Sequence, residues 1–151
     1  MSVKRGKLEF HNVVCMKTKG AHEQWQEKLQ EFRAFLVKND IFITGPVIVR
    51  WEHLEENKEK ADLYIYLPTY QKLKIEKNNI FSFHENFLIE EGLKIRHMDM
   101  DDDIAASEAL LQVVAKKAGL VLKKPYYYIY LPVFQEYIID IFAPIQKGEG
   151  K

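Results

Sequence analysis

An acidic residue inside an apolar, strand-forming segment is the feature of this sequence best suited to chemistry. Asp140 lies between Ile139 and Ile141, in a run that continues to Phe142. Burial of an unpaired carboxylate is costly, so this side chain must face water in a cleft, be paired, or have a raised pKa. Two interpretations follow. Asp140 either anchors a cation or a hydrogen-bond donor in a pocket, or is a strand carboxylate satisfied by a neighbouring tyrosine or lysine.

A dense run of tyrosines offers ring surfaces for a ligand. Tyr126, Tyr128 and Tyr130 alternate along one segment, so they share one face of a strand, and Tyr64 lies in a second segment of this kind. Such rings can line a cleft for planar or cationic ligands, although the same pattern suits an amphipathic sheet surface or a subunit contact. Trp51 stands at a predicted strand end. The predicted ligand-binding residues are Asp140, Tyr126, Tyr128, Tyr64 and Trp51.

The other reactive residue types show no metal-binding or catalytic spacing. The five histidines lack a pattern such as His-x-x-x-His, and Cys15, the single cysteine, is predicted to be a core residue. Asp99, Asp101 and Asp103 imitate the start of a calcium-binding loop, but Ile104 stands where that loop requires glycine. We therefore predict no metal site and no cofactor, and we interpret the acidic run as a solvated cap of the following helix.

Composition and charge limit the class of protein. The 151 residues are 47% hydrophobic and 13% aromatic, which predicts a single domain, 1–151, with a substantial core. Lys+Arg and Asp+Glu both total 22, so the formal net charge is zero, whereas nucleic-acid binders usually carry a basic excess. We therefore predict no nucleic-acid partner. With one cysteine and no signal-like or membrane-length apolar run, we expect a cytoplasmic monomer or homodimer without a membrane partner.

The same order of elements is predicted twice. Each half has an extended segment, an amphipathic helix, a break at proline and two strands that end near a second proline. The predicted elements of the first half are a strand at 8–18, a helix at 22–38 and strands at 47–51 and 61–67 around a charged loop at 52–60. A linker with strand character is predicted at 69–91. The second half then has a strand at 93–98, a helix at 104–118 with Gly119 as its C-cap, and strands at 126–131 and 137–143. The predicted buried stripe of this helix is Ile104, Leu111, Val114 and Ala118.

Two βαββ units cannot each bury their apolar faces alone, so they are expected to pair. The prediction is an α+β fold in which duplicated βαββ units, about 8–68 and 93–145, form an antiparallel sheet. Two helices lie on one face of that sheet, with a central cleft between the halves. Trp51 is placed beside the mouth of this predicted cleft.

This order of elements resembles the GyrI-like small-molecule-binding domain, which is shared with the effector domains of multidrug-sensing transcription regulators. The stretches that carry the resemblance are 45–51, which begins Gly-Pro, 61–66 and 140–145. In that family a glutamate of the last strand lies in the cleft and faces cationic, aromatic ligands. Asp140 stands at the matching position, so the resemblance implies that it is the acidic anchor of a ligand site.

Three functions remain open from the sequence. The leading hypothesis is a small-molecule-binding module that holds an amphipathic, hydrophobic or cationic aromatic ligand in the cleft between the repeats. The alternative is a protein-interaction role, as an inhibitor, immunity protein or accessory protein of an enzyme or toxin. The third is an enzyme in which Asp140 and a tyrosine act as general acid and base. Because no nucleophile and base are paired in the sequence, we do not expect enzymatic activity.

Overall fold

A computed structural model describes residues 3–21, 24–54, 57–76, 78, 80–98, 104–133 and 136–147. Within these residues the chain forms six strands and two helices, which confirms the predicted α+β class. The elements are β1 Val3–Ala21, α1 Trp25–Lys38, β2 Val47–Leu54, β3 Asn57–Pro68, β4 Phe81–Met98, α2 Ile104–Lys117, β5 Tyr127–Val133 and β6 Glu136–Pro144. Neither helix of this described part is long and apolar enough to cross a membrane.

The chain divides into two compact units. The N-terminal unit is Phe10–Phe87, and the C-terminal unit combines Leu88–Lys151 with Met1–Glu9. The long strands β1 and β4 therefore each contribute residues to both units. Each unit has the element order strand, helix, strand, strand.

In the N-terminal unit, β3 pairs antiparallel with both β1 and β2. Helix α1 forms because its apolar residues recur at intervals of three and four, which places Leu29, Phe32 and Leu36 on one buried stripe. Trp25, at the first position of the helix, is half-buried.

In the C-terminal unit, β6 pairs antiparallel with both β4 and β5. Leu111 and Ala115 of α2 pack in one buried cluster with strand residues that alternate along β4 and β6, such as Ile95 and Ile141. Because side chains on a strand point alternately to its two faces, this cluster identifies the face of the sheet that α2 covers.

The two units share two backbone features, a left-handed residue after the helix and an isolated bridge that follows it. Helix α1 is followed by Asp40 with φ 59°, and α2 by Gly119 with φ 70°, so both helices end at a left-handed residue. The predicted C-cap role of Gly119 is thereby confirmed. An isolated bridge then joins the segment after each helix to the residue that follows the proline of the third strand. These bridges are Ile43 with Thr69 and Leu122 with Ile145.

Two predicted boundaries differ from the structure. Residues 81–91, predicted as part of a linker with strand character, are extended as expected but belong to β4, and Phe81 packs against Phe32 and Phe35 of α1. The charged loop predicted at 52–60 is shorter, because β2 and β3 continue to pair through Glu52 with Asp62. Charged side chains there lie on strands, where the polar pattern alone indicated a loop. The predicted cap at Asp101–Asp103 lies outside the described residues.

The buried stripe of α2 also differs from the prediction. Ile104, Leu111, Val114 and Ala118 were expected, but the buried helix residues are Ser107, Leu111 and Ala115. The buried face of α2 is rotated from the predicted one because it includes a polar residue, Ser107. Ser107 Oγ lies 2.8 Å from His97 Nδ1 of β4, and this hydrogen bond allows both side chains to be buried.

Candidate functional site

Asp140 lies at the centre of the C-terminal unit's sheet, opposite Arg96 of β4 and Ile129 of β5. Arg96 Nε donates to Asp140 Oδ1 at 2.8 Å, and Arg96 Nη2 donates to Oδ2 at 3.1 Å. The carboxylate is 8% exposed, whereas the arginine side chain is 55% exposed. The hydrogen bonds from Arg96 to Asp140 and the charge of that carboxylate raise the pKa of Arg96. Asp140 is therefore a buried acid whose counter-ion reaches solvent.

The two faces of this sheet carry different chemistry. Asp140 stands directly opposite Ile129, so it projects to the face that Ile129 shares, whereas Tyr128 stands opposite Ile141 on the face covered by α2. Tyr126 lies on the same side as Tyr128. The structure therefore does not bring Tyr126 and Tyr128 together with Asp140, although all three are in the predicted ligand-binding set.

The two tyrosines instead connect the sheet to α2. Gln112 Nε2 donates to the hydroxyl of Tyr126, and the hydroxyl of Tyr128 donates to a carboxylate oxygen of Glu108. Burial is the largest cause that raises the pKa of each tyrosine. Both rings thus remain neutral and hold the helix against the strands.

Tyr64 lies at the centre of the N-terminal unit's sheet, opposite Lys17 of β1 and Arg50 of β2. The guanidinium carbon of Arg50 is 3.8 Å from the ring centroid of Tyr64, and Lys17 Nζ is 5.6 Å from it. Asp62 Oδ2 lies 3.9 Å from Lys17 Nζ, and Asp62 Oδ1 is buried without a hydrogen-bond partner among the described residues. The Tyr64 ring therefore already binds cations through its face.

Trp51 belongs to the other face of that sheet. It stands opposite Leu63, one residue along from the Arg50–Tyr64 pair, so it projects away from Tyr64. The side chain is buried, with 8% of the residue exposed. The structure thus separates Trp51 from Tyr64, although both are in the predicted set.

The sequence interpretation missed both arginines. Arg50 is the single cation of the predicted strand 47–51, and Arg96 lies within the predicted strand 93–98, so a cation inside a strand was the available signal. Their partners could not be read from the sequence because pairing depends on strand register. An arginine in one apolar strand and an acid without an obvious partner in another would have suggested an ion pair between the two strands.

Cys15 carries no nucleophile signature. The residue is 4% exposed, and burial raises the pKa of its thiol to about 11. A thiol with such a pKa is protonated near neutral pH and is a poor nucleophile. Within the described residues, no group of three or more histidine, cysteine, aspartate or glutamate side chains could hold a metal ion.

Comparison with solved structures identifies the fold. The C-terminal domain of EcmrR matches with a TM-score of 0.71 at 12% identity, over 98% of this chain and 100% of that domain. EcmrR in a complex with DNA matches with a TM-score of 0.69 at 14% identity, over 97% of this chain and 58% of that longer one. A protein from Listeria innocua described as a hydrolase has a TM-score of 0.69 at 12% identity, over 96% of this chain and 92% of that one. No protein-family model matches the sequence, and neither does any curated protein.

Proposed function

We propose that this protein binds a small amphipathic or cationic aromatic molecule, with Asp140 as its acidic anchor. The observation that carries the proposal is the asymmetry of the ion pair. Asp140 is buried and cannot lose its partner without a large desolvation cost, while Arg96 is half-exposed and can move into water. A cationic ligand that reaches the carboxylate can replace the guanidinium at little cost. The fold shared with the EcmrR C-terminal domain supports a GyrI-like domain.

We also infer that the two units are copies of one βαββ sequence. Val13 and Gly92, which are the first paired residues of β1 with β3 and of β4 with β6, stand 79 positions apart. The left-handed residues Asp40 and Gly119 have the same spacing. A constant spacing between matching backbone features is typical of an internal repeat.

The inferred correspondence places Tyr64 where the other copy has Asp140. Each residue is the central one of three that face each other across three strands. In one copy an acid faces a cation, and in the other a ring faces two cations. We propose that Tyr64 is a separate contact for a cationic group, and that Tyr126, Tyr128 and Trp51 act mainly in packing.

The test is a fluorescence titration with the cationic dye rhodamine 6G, with the anionic dye fluorescein as its counterpart. Asp140→Asn should weaken rhodamine binding about tenfold, because it removes a charge-assisted contact. Arg96→Ala should strengthen binding, since it removes the competing cation. Glu90→Gln is the matched control, because Glu90 is an exposed acid of the same unit that pairs with Lys147 at 3.6 Å.

The proposal fails if Asp140→Asn binds rhodamine as tightly as the unmodified protein, or if fluorescein binds equally well. Thermal melts of each variant check the fold. Should Asp140→Asn not fold, Arg96→Ala decides the question, because unchanged or weaker binding by that variant contradicts replacement of the guanidinium.

Exposed aromatic side chains in the N-terminal unit favour a second candidate, a protein-interaction role. Phe42 is 68% exposed and Tyr70 is 76% exposed, and the Tyr70 backbone N–H donates to the Phe42 carbonyl at 2.9 Å. Adjacent exposed rings are common at protein contacts. A stoichiometric partner that co-purifies with the protein but not with a Phe42→Ser, Tyr70→Ser variant would favour this role, above all if rhodamine does not bind.

A further inference from the structure

The C-terminal unit contains an open groove next to the end of α2. Its volume is about 390 Å³, which is within the range of small-molecule sites. The groove lies between the last turns of the helix and the segment that follows it. Its lining residues are Gln112, Val113, Lys116, Leu120, Val121 and Leu122. Val113 and Val121 remain 47% and 61% exposed, so the groove presents apolar surface to solvent.

The charge around this groove is entirely positive along the chain segment that forms it. The sequence has no aspartate or glutamate from Ala109 to Gln135. Four exposed lysines lie in or beside the groove segment, and none of them forms an ion pair with a described residue. They are Lys116, Lys117, Lys123 and Lys124.

Three described acidic residues of the neighbouring elements are already engaged. Glu108, one turn before Gln112 on α2, accepts the hydrogen bond from Tyr128. Glu90 and Glu91 of β4 pair with Lys147 and with Arg5. Among the residues that the structure describes, no neighbouring carboxylate therefore balances the lysine charges around the groove.

We propose that this groove binds an amphipathic anion, with an apolar chain against Val113 and Val121 and an acidic head group at Lys116. Apolar burial supplies the affinity for the chain, because the exposed valines lose contact with water when they are covered. The ammonium of Lys116, on its flexible side chain, can bind the carboxylate or phosphate of the head group. The adjacent lysines attract this head group over a longer distance. The ligand class is thus opposite in charge to that proposed for Asp140, and the two sites are independent.

The experiment compares two probes with the same ten-carbon chain and opposite head groups, monomeric decanoate and decyltrimethylammonium, by isothermal titration calorimetry. Decanoate should bind and the cation should not. A Lys116→Glu, Lys124→Glu variant should weaken decanoate binding about tenfold or more, since it replaces attraction by repulsion. Lys38→Glu is the matched control, because Lys38 is an exposed lysine in the last turn of α1, and it should leave decanoate binding unchanged.

Two further measurements separate the proposal from its alternatives. Val121→Gln should also weaken binding, because the apolar contact is lost while a side chain this exposed contributes little to folding. Asp140→Asn should not change decanoate binding, so the result is independent of the rhodamine test. Equal binding of both probes, or no effect of the lysine substitutions, would overturn the proposal. Binding to phosphatidylglycerol vesicles without binding to monomeric decanoate would overturn it in favour of a membrane surface.

Discussion

Buried polar side chains in this protein differ in whether their partner reaches solvent. Asp140 is held by an arginine that remains half-exposed, and His97 is held by Ser107 inside the core. The first pair has a member that reaches solvent, whereas both members of the second are buried. Exposure of the partner therefore separates a candidate binding residue from a structural one.

The buried thiol of Cys15 should make the stability of the protein depend on pH. Burial raises its pKa from 9.0 to about 11, so the folded state retains the thiol proton more strongly than the unfolded state does. Stability from this group is complete below about pH 9 and falls between pH 9 and 11, because the unfolded chain releases its proton first. The total loss should be about 2 to 3 kcal/mol.

Urea unfolding of the protein and of a Cys15→Ala variant, from pH 7 to pH 10.5, measures this effect. The alanine variant starts from a lower free energy of unfolding because it lacks a buried side chain, so the slopes with pH are compared and not the absolute values. The unmodified protein should lose stability more steeply above pH 9. Parallel curves would show that the thiol does not titrate as described.

At the scale of elements, the close approach of β4 and β6 depends on the absence of a side chain. A Cβ atom added at Gly92 would lie 2.6 Å from Cε1 of Phe142 and 2.8 Å from the carbonyl oxygen of Ala143. Phe142 is 1% exposed and cannot move into water. This position is the first of the β4–β6 pairing, so the strand register in the C-terminal unit begins at a residue that must be glycine.

We expect Gly92→Ala to lower the free energy of unfolding by about 1 to 3 kcal/mol, which is typical of overpacking in a core. Gly6→Ala is the control, because Gly6 lies in β1 of the same unit and no atom lies within 4 Å of a Cβ added there. Chemical unfolding of both variants provides the measurement. Equal stability of the two would mean that the strands can separate at Gly92 without cost.

The chain as a whole has balanced charge, which has consequences for its behaviour in solution. With 22 basic and 22 acidic residues, the formal net charge is zero and the isoelectric point is about 7.0. Repulsion between molecules is therefore weak at neutral pH, and exposed apolar side chains such as Phe42 and Val121 can come into contact. Although the net charge is zero, the charges are not evenly distributed, because lysines are concentrated around the groove of the C-terminal unit.

We expect self-association in low-salt buffer to be greatest near pH 7 and to fall toward pH 5.5 and pH 8.5, as measured by light scattering. A Lys4→Glu, Lys38→Glu variant should shift this maximum to lower pH, because it replaces two exposed positive charges by negative ones. Association that does not depend on pH would indicate a specific interface and not a charge effect.

Local patterns in the sequence were enough to predict the α+β class, both helices and the positions of most strands. Periodicity, prolines and Gly119 are local signals, and they act through local backbone preferences. At residues 81–91 the same signals indicated strand character but not that the segment is part of the long strand β4, in which Phe81 packs against α1. The repeated letters Tyr-Ile-Tyr-Leu-Pro at 64–68 and 128–132 do not mark matching elements, because the first copy lies in β3 and the second in β5.

Only the tertiary structure decided which side chains share a face. Alternation identified Asp140 and Tyr128 as members of aromatic and apolar strands, but the register between β5 and β6 places them on opposite sides. The partners of Asp140 and Tyr64 come from strands that are distant in the sequence, and a shift of one residue would reverse every side chain. Register depends on packing over the whole unit, so the candidate residues could be named from the sequence, while their grouping into sites required the fold.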